Sequence, residues 1–218
     1  MSGQMSRRGF MGAAATGAFA LAGVALAGCS NTSASSEKSS EKEKAVKPVI
    51  LVTSFGTSYN DSRHITIGAI ENAIADAFPQ YEVRRAFTSQ IIIDKLKERD
   101  GLEIDNVEEA LDRAVADGVK TLVVQPTHLM SGFEYTDLND ALEGYKDKFD
   151  QVVLADPLLS SDADYEAVAQ AITAETASYD DGETAICFMG HGTEADSNAD
   201  YAKLQEVLTA DGFENYYI

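Results

Sequence analysis

The chain has 218 residues, 44% of them hydrophobic, enough to bury the core of one large domain or two small ones. A formal charge of −19, two units more negative if Arg7 and Arg8 are lost with a leader, argues against nucleic acid as a partner and suits attraction of cations. Of the two cysteines, Cys29 falls in the leader, so Cys187 has no partner for an internal disulfide.

The chain opens with a twin-arginine pattern, Ser6-Arg7-Arg8-Gly9-Phe10, followed by apolar and small residues from Gly12 to Gly28. Leu26-Ala27-Gly28-Cys29 resembles a bacterial lipoprotein cleavage box with Cys29 as the lipidated residue; an uncleaved N-terminal anchor is the alternative. Either way residues 1–29 are read as a signal and the rest as exported and tethered to a membrane through its anchor. Firm attachment takes more than one acyl chain, since one alone binds marginally. Residues 30–47 are rich in Ser, Glu and Lys and short of large apolar side chains, so they are read as a disordered tether.

From Pro48 onward apolar runs and helical periodicities alternate. Val49 to Ser54 is a continuous apolar run ending in Phe-Gly-Thr-Ser, as in a buried parallel strand entering a glycine turn. Ile67, Ile70, Ile74 and Phe78 predict one helix over Asp61 to Phe78, stopped by Pro79. Strands are expected at Tyr81 to Phe87, Val119 to Gln125, Val152 to Ala155, Thr184 to Met189 and Asn215 to Ile218. Helices are expected at Ser89 to Arg99, Val107 to Asp117, Phe133 to Lys148, Asp162 to Tyr179 and Asn198 to Ala210. This pattern is an α/β fold with a parallel sheet.

The alternation contains a repeat. Leu51-Val-Thr-Ser-Phe-Gly-Thr-Ser58 and Cys187-Phe-Met-Gly-His-Gly-Thr-Glu194 each run from a strand through a ring-bearing residue into Gly-Thr and then a helix. Two similar parallel-sheet α/β domains follow: a first over 48–180 and the start of a second over 181–218. Phe55 holds in the first the place of His191 in the second.

Ligands of open α/β sheets bind beyond the carboxyl ends of the strands, where His191 and His128 both fall. Gly190 and Gly192 permit positive φ and close approach of a bulky ligand to the backbone. An imidazole there serves as metal ligand or proton acceptor. His128, with Glu134 six residues on at a helix start, is a weaker pair for a divalent first-row metal. Arg84, Arg85 and Lys95 are candidate anchors for an anionic small molecule, against the alternative that the lysine belongs to a solvated helix face. Cys187, within Ala185-Ile-Cys-Phe-Met189, reads as a small buried core residue.

Several blocks together resemble the anaerobic cobalt chelatases, which insert Co²⁺ into sirohydrochlorin during cobalamin synthesis. They are Ser54-Phe-Gly-Thr-Ser-Tyr59, Arg85-Ala-Phe-Thr-Ser89, Lys95-Leu-Lys-Glu-Arg-Asp-Gly101 with Ile104-Asp105, His128 with Gly132 and Glu134-Tyr135, Pro157-Leu-Leu-Ser-Ser161 with Asp164-Tyr165, and Phe188-Met-Gly-His-Gly192. The resemblance spans about Pro48 to Ile218. It implies two similar α/β domains facing across a cleft and a lyase-class chelatase with Co²⁺ as substrate metal and no organic cofactor. It also implies that His191 takes part in cobalt binding and proton removal, and that His128 and Glu134 reach the same cleft. Members of that family continue through a second domain where another histidine and a glutamate complete the metal site. The second domain is therefore expected to be incomplete here, in a fragment or a degenerate member. Sirohydrochlorin carries many carboxylates, which gives Arg84, Arg85 and Lys95 a use. The expected partners are a tetrapyrrole, a divalent metal and the membrane, with homo-oligomerisation left open. The competing functions are a non-catalytic exported lipoprotein that binds tetrapyrrole or metal, and an α/β interaction domain with vestigial motifs.

Overall fold

The computed structural model describes residues 46–218. The signal over 1–29, its Cys29 and nearly all of the 30–47 tether lie outside the described residues. In chain order the elements are β1 (Val49–Ser54), α1 (Asn60–Ile65), α2 (Ile67–Ala77), β2 (Glu82–Phe87), α3 (Gln90–Asp100), α4 (Val107–Ala116), β3 (Thr121–Pro126), α5 (Phe133–Glu143), β4 (Gln151–Leu154), α6 (Asp162–Thr176), β5 (Ile186–Cys187), α7 (Ala199–Ala210) and β6 (Tyr216–Tyr217). Among these helices none is long and apolar enough to cross a membrane.

Four strands form a parallel sheet in the order β2-β1-β3-β4. The apolar run of β1 is explained by its place: it is paired on both sides and buried at every residue. Val49 and Leu51 of β1 join Leu122 and Val124 of β3, Leu111 of α4 and Leu138 of α5 in the largest core cluster. Each fully buried Leu or Val contributes about 1.5–3 kcal/mol relative to exposure. A smaller cluster packs Ile67 of α2 and Phe87 of β2 against Ile93 and Leu96 of α3. Asn106 starts α4 with a full capping box: its side chain accepts from the Glu109 N–H, and Glu109 accepts from the Asn106 N–H.

Two departures from the periodicity have local causes. The helix expected over Asp61 to Phe78 is two helices, broken at Thr66, where φ is −108° and ψ −79°. The Thr66 hydroxyl donates back to the Ser62 carbonyl at 2.6 Å, the back-bonding that bends helices. Of the four apolar positions behind that expectation only Ile67 is buried; Ile70 and Phe78 are exposed. The strand expected over Thr184 to Met189 shrinks to Ile186–Cys187, because its one neighbour, β6, offers two residues to pair with. On that short ladder Cys187 is exposed, not the buried core residue its apolar flanks suggest.

Helix α6 also belongs elsewhere than the repeat implies. Its Tyr165 and Ala169 pack with Leu204 and Leu208 of α7 and Tyr216 of β6, so its buried face serves the second sheet although the repeat puts it in the first half. The two segments compared in the sequence have two features in common. β1–β2 and β5–β6 are both parallel pairs, and both strand-end glycines, Gly56 and Gly192, have positive φ.

Candidate active site at the carboxyl edge

The chain leaves β1 toward β2 on one side and returns to β3 on the other, so the sheet's switch point lies between the carboxyl ends of β1 and β3. That crevice is where open α/β sheets receive ligands. Backbone and side chains hold it closed: Thr127 N–H donates to the Thr53 carbonyl at 2.9 Å, and the Thr127 hydroxyl donates to the Ser54 hydroxyl at 2.9 Å.

The next residue, His128, stands at this point with both ring nitrogens buried and without a hydrogen-bond partner. Its backbone is pinned, since its carbonyl accepts from Leu158 N–H at 3.0 Å. Burial holds the imidazole below its ordinary pKa, and the nearby Glu134 carboxylate opposes that shift in part. A neutral, unpaired imidazole at a strand end costs about 1–3 kcal/mol in lost hydrogen bonding. It has a lone pair for a metal or for a proton taken from a bound molecule. Glu134 lies in the uncapped first turn of α5, exposed beside it.

Glu134 also lines a cavity of about 300 Å³ with Phe55, Thr88, Gln90, Asn106 and Leu138. The Thr88 hydroxyl, just past β2, is a second buried polar atom there without a partner. In the sequence Thr88 stands only within the block Arg85-Ala-Phe-Thr-Ser89, and its place just past a strand end is the signal that marks it. Around the edge Phe55, Leu129, Phe133 and Leu158 are exposed and form an apolar rim.

His191 lies in the loop between β5 and α7. It is exposed, and its Nδ1 lies 3.0 Å from the carbonyl of Gly192. The glycines flanking it do different work from that expected. Gly190 makes room for the protein's own Tyr201, whose ring carbon would lie 2.2 Å from an added Cβ. Gly192 has φ +78° and faces open space. Only Gly192 therefore uses the backbone freedom expected of both.

The basic anchors are largely committed elsewhere. Arg84 donates to Glu82 at 2.9 Å and to Asp117 at 2.6 Å. Arg85 holds Glu71 with two hydrogen bonds, one of 2.6 Å from Nε. Both sit midway along β2, lining a groove of about 1340 Å³ bounded by α2, α3 and α4, not the carboxyl edge. Lys95 is exposed on α3. Among the described residues no group of three or more His, Cys, Asp or Glu side chains is placed to hold a metal ion together. Glu134 is near enough to His128 to act on its charge, whereas Arg84 and Arg85 are paired with acids.

The profile of the Cobalt chelatase (CbiK) family matches residues 48–218. The chain belongs to that family. Among curated relatives of this cobalt chelatase-family chain, the Sirohydrochlorin cobaltochelatase of Salmonella typhimurium (strain LT2) is 38% identical over 168 residues, covering 77% of this chain and 63% of that protein. The Sirohydrochlorin cobaltochelatase CbiKC of Nitratidesulfovibrio vulgaris (strain Hildenborough) is 30% identical over 164 residues, 74% of this chain and 57% of that protein. The chain thus spans less than two thirds of the length of these relatives. A solved CbiX protein from Marinobacter aquaeolei VT8 aligns with a TM-score of 0.43 at 16% identity, over 60% of this chain and 98% of its own, too distant to carry weight here.

Proposed function

We propose that this protein takes part in the insertion of Co²⁺ into sirohydrochlorin, a lyase-class step of cobalamin synthesis. The observation that carries the reading is His128: an imidazole kept neutral by burial, with neither nitrogen committed, at the switch point of a cobalt chelatase-family fold and beside Glu134. Metalation exchanges two pyrrole N–H protons for one divalent cation. In this reading the macrocycle lies on the apolar rim of the carboxyl edge, with Co²⁺ as substrate. His128 and Glu134 then accept a proton or hold the ion on its way in, and His191 meets the ion from the second copy. Imidazole and carboxylate suit Co²⁺ without selecting it over its first-row neighbours.

The test is anaerobic: protein, sirohydrochlorin and Co²⁺ are mixed and the free-base absorbance is followed. Metalation faster than the protein-free rate, and slowed at least tenfold by His128→Ala, is the expected result. Saturable tetrapyrrole binding with no acceleration would overturn the enzyme reading. It would favour the second one, a non-catalytic tetrapyrrole- or metal-binding protein, which the lack of a three-ligand cluster among the described residues supports.

The address belongs to the same proposal. Ser6-Arg7-Arg8-Gly9-Phe10 and Leu26-Ala27-Gly28-Cys29 motivate export and lipidation at Cys29. Metabolic labelling with a radioactive fatty acid checks it: label on the wild type and none on Cys29→Ala is expected, and unlabelled wild type would remove the lipoprotein reading.

A further inference from the structure

The turn Gly190-His191-Gly192 is held from below by a residue that no motif singles out. Tyr201 projects from the first turn of α7, and its ring fills the space beside Gly190 so closely that a Cβ there would stand 2.2 Å, 2.7 Å and 2.8 Å from three of its atoms. Its hydroxyl accepts the Gly192 N–H at 3.1 Å. The carbonyl of the same glycine lies 3.0 Å from His191 Nδ1. Gly192, at φ +78°, is therefore gripped on both sides: its N–H by Tyr201, its C=O by the imidazole. The following loop adds a further tie, Thr193 N–H to Asn198 Oδ1 at 3.2 Å.

A carbonyl oxygen has no proton to give. The hydrogen bond with Gly192 thus requires Nδ1 to be the protonated nitrogen of the neutral ring, which leaves the lone pair on Nε2. Metal-binding imidazoles are commonly oriented in this way, by donating their other N–H to a backbone carbonyl. We infer that Tyr201 is the positioning residue of His191: by packing under Gly190 and holding the Gly192 N–H, it sets the carbonyl that selects the Nδ1–H tautomer and points the Nε2 lone pair outward for a divalent cation. The cation follows from the proposed function, on which the inference rests for its purpose. The tautomer and its dependence on Tyr201 do not rest on it.

The arrangement is economical in sequence. Gly190 is required because the tyrosine ring is there, and Gly192 because the turn needs positive φ to present both its N–H and its C=O. An aromatic ring without a hydroxyl would preserve the first relation and lose the second. That difference separates positioning from simple packing.

The experiment uses the whole protein with ¹⁵N-labelled histidine and long-range ring ¹H–¹⁵N spectra, with only three histidines to assign. Wild-type His191 should show the Nδ1–H tautomer when neutral. Tyr201→Phe keeps the ring and should retain the folded spectrum while His191 moves to a mixture of tautomers. Titration with Co²⁺ alone, read from paramagnetic broadening of the His191 resonances, should weaken about tenfold in that variant, the lower end of the effect of lost orienting partners. Tyr201→Leu, which removes both relations, should weaken it at least as much. A His191 tautomer and a Co²⁺ response in Tyr201→Phe equal to wild type would overturn the inference. Should the tautomer shift as expected while no variant, wild type included, accelerates metalation, the chelatase reading fails and the positioning role stands.

Discussion

The hydroxyl of Thr127 donates to the hydroxyl of Ser54 across 2.9 Å, joining two residues 73 positions apart in the chain. The bond closes the carboxyl ends of β1 and β3 at the point where His128 begins the next loop. His128 therefore inherits its place from a strand pairing that is complete two residues earlier, Thr53 opposite Pro126.

Thr127→Val keeps the β-branched shape and removes the donor. The variant should lose about 1 kcal/mol, the net worth of one such hydrogen bond, and should shift the His128 ring resonances. Urea unfolding and the histidine spectra measure the two effects. Unchanged His128 resonances would mean the backbone bond to Thr53 suffices to place it.

Burial lowers the His128 pKa in the folded state, which sets a sign for pH dependence. Between that lowered value and the ordinary ~6.5, the unfolded chain binds the proton more readily than the folded one. Stability attributable to this residue is intact above the ordinary value, falls as pH drops through that window, and stays at its lowered level below the folded value. His128→Gln should flatten the fall in stability between pH 7 and pH 5 relative to wild type. Urea midpoints at both pH values check it, and parallel falls in the two proteins would show that His128 is protonated alike in both states.

Gly190→Ala should destabilise by about 1–3 kcal/mol, the usual cost of forcing atoms into filled space, because its Cβ meets the Tyr201 ring. Adding Tyr201→Ala should recover part of that loss, and a double-mutant cycle by chemical unfolding measures the coupling. Strict additivity would mean that the turn moves away from the ring without cost.

Arg85 offers a test of charge reading against structure. Its partner Glu71 has a side chain only 14% exposed. Arg85→Ala should therefore cost about 1–3 kcal/mol, since it strands a largely buried carboxylate, and should leave sirohydrochlorin affinity unchanged. Thermal melts and an absorbance titration separate the two. A tenfold loss of affinity without a change in stability would restore Arg85 as an anchor of the macrocycle.

Much of the fold was legible in local pattern. The all-apolar run Val49 to Ser54 reads as a strand buried on both faces because only the centre of a parallel sheet satisfies it, and β1 is that centre. Most helix starts and the strand-end glycine turns were legible for the same reason: periodicity and the conformational freedom of glycine are properties of a few neighbouring residues. Thr66 escaped notice because a hydroxyl can donate to its own helix or to water, and sequence does not say which. Cys187 misled because apolar neighbours predict burial only when a second strand is there to cover them.

The site divides along the same line. Sequence by itself determined which residues are candidates for the chemistry: His128, Glu134 and His191 stand past strand ends and in family blocks, and those signals are written within a few positions of each residue. Tertiary structure alone decided what each can do. Arg84 and Arg85 are spent on Asp117 and Glu71, both imidazole nitrogens of His128 are left unpaired, and Gly190 yields its space to Tyr201 instead of a ligand. Those outcomes depend on which distant side chain arrives at each polar atom, and that is set by packing across the sheet.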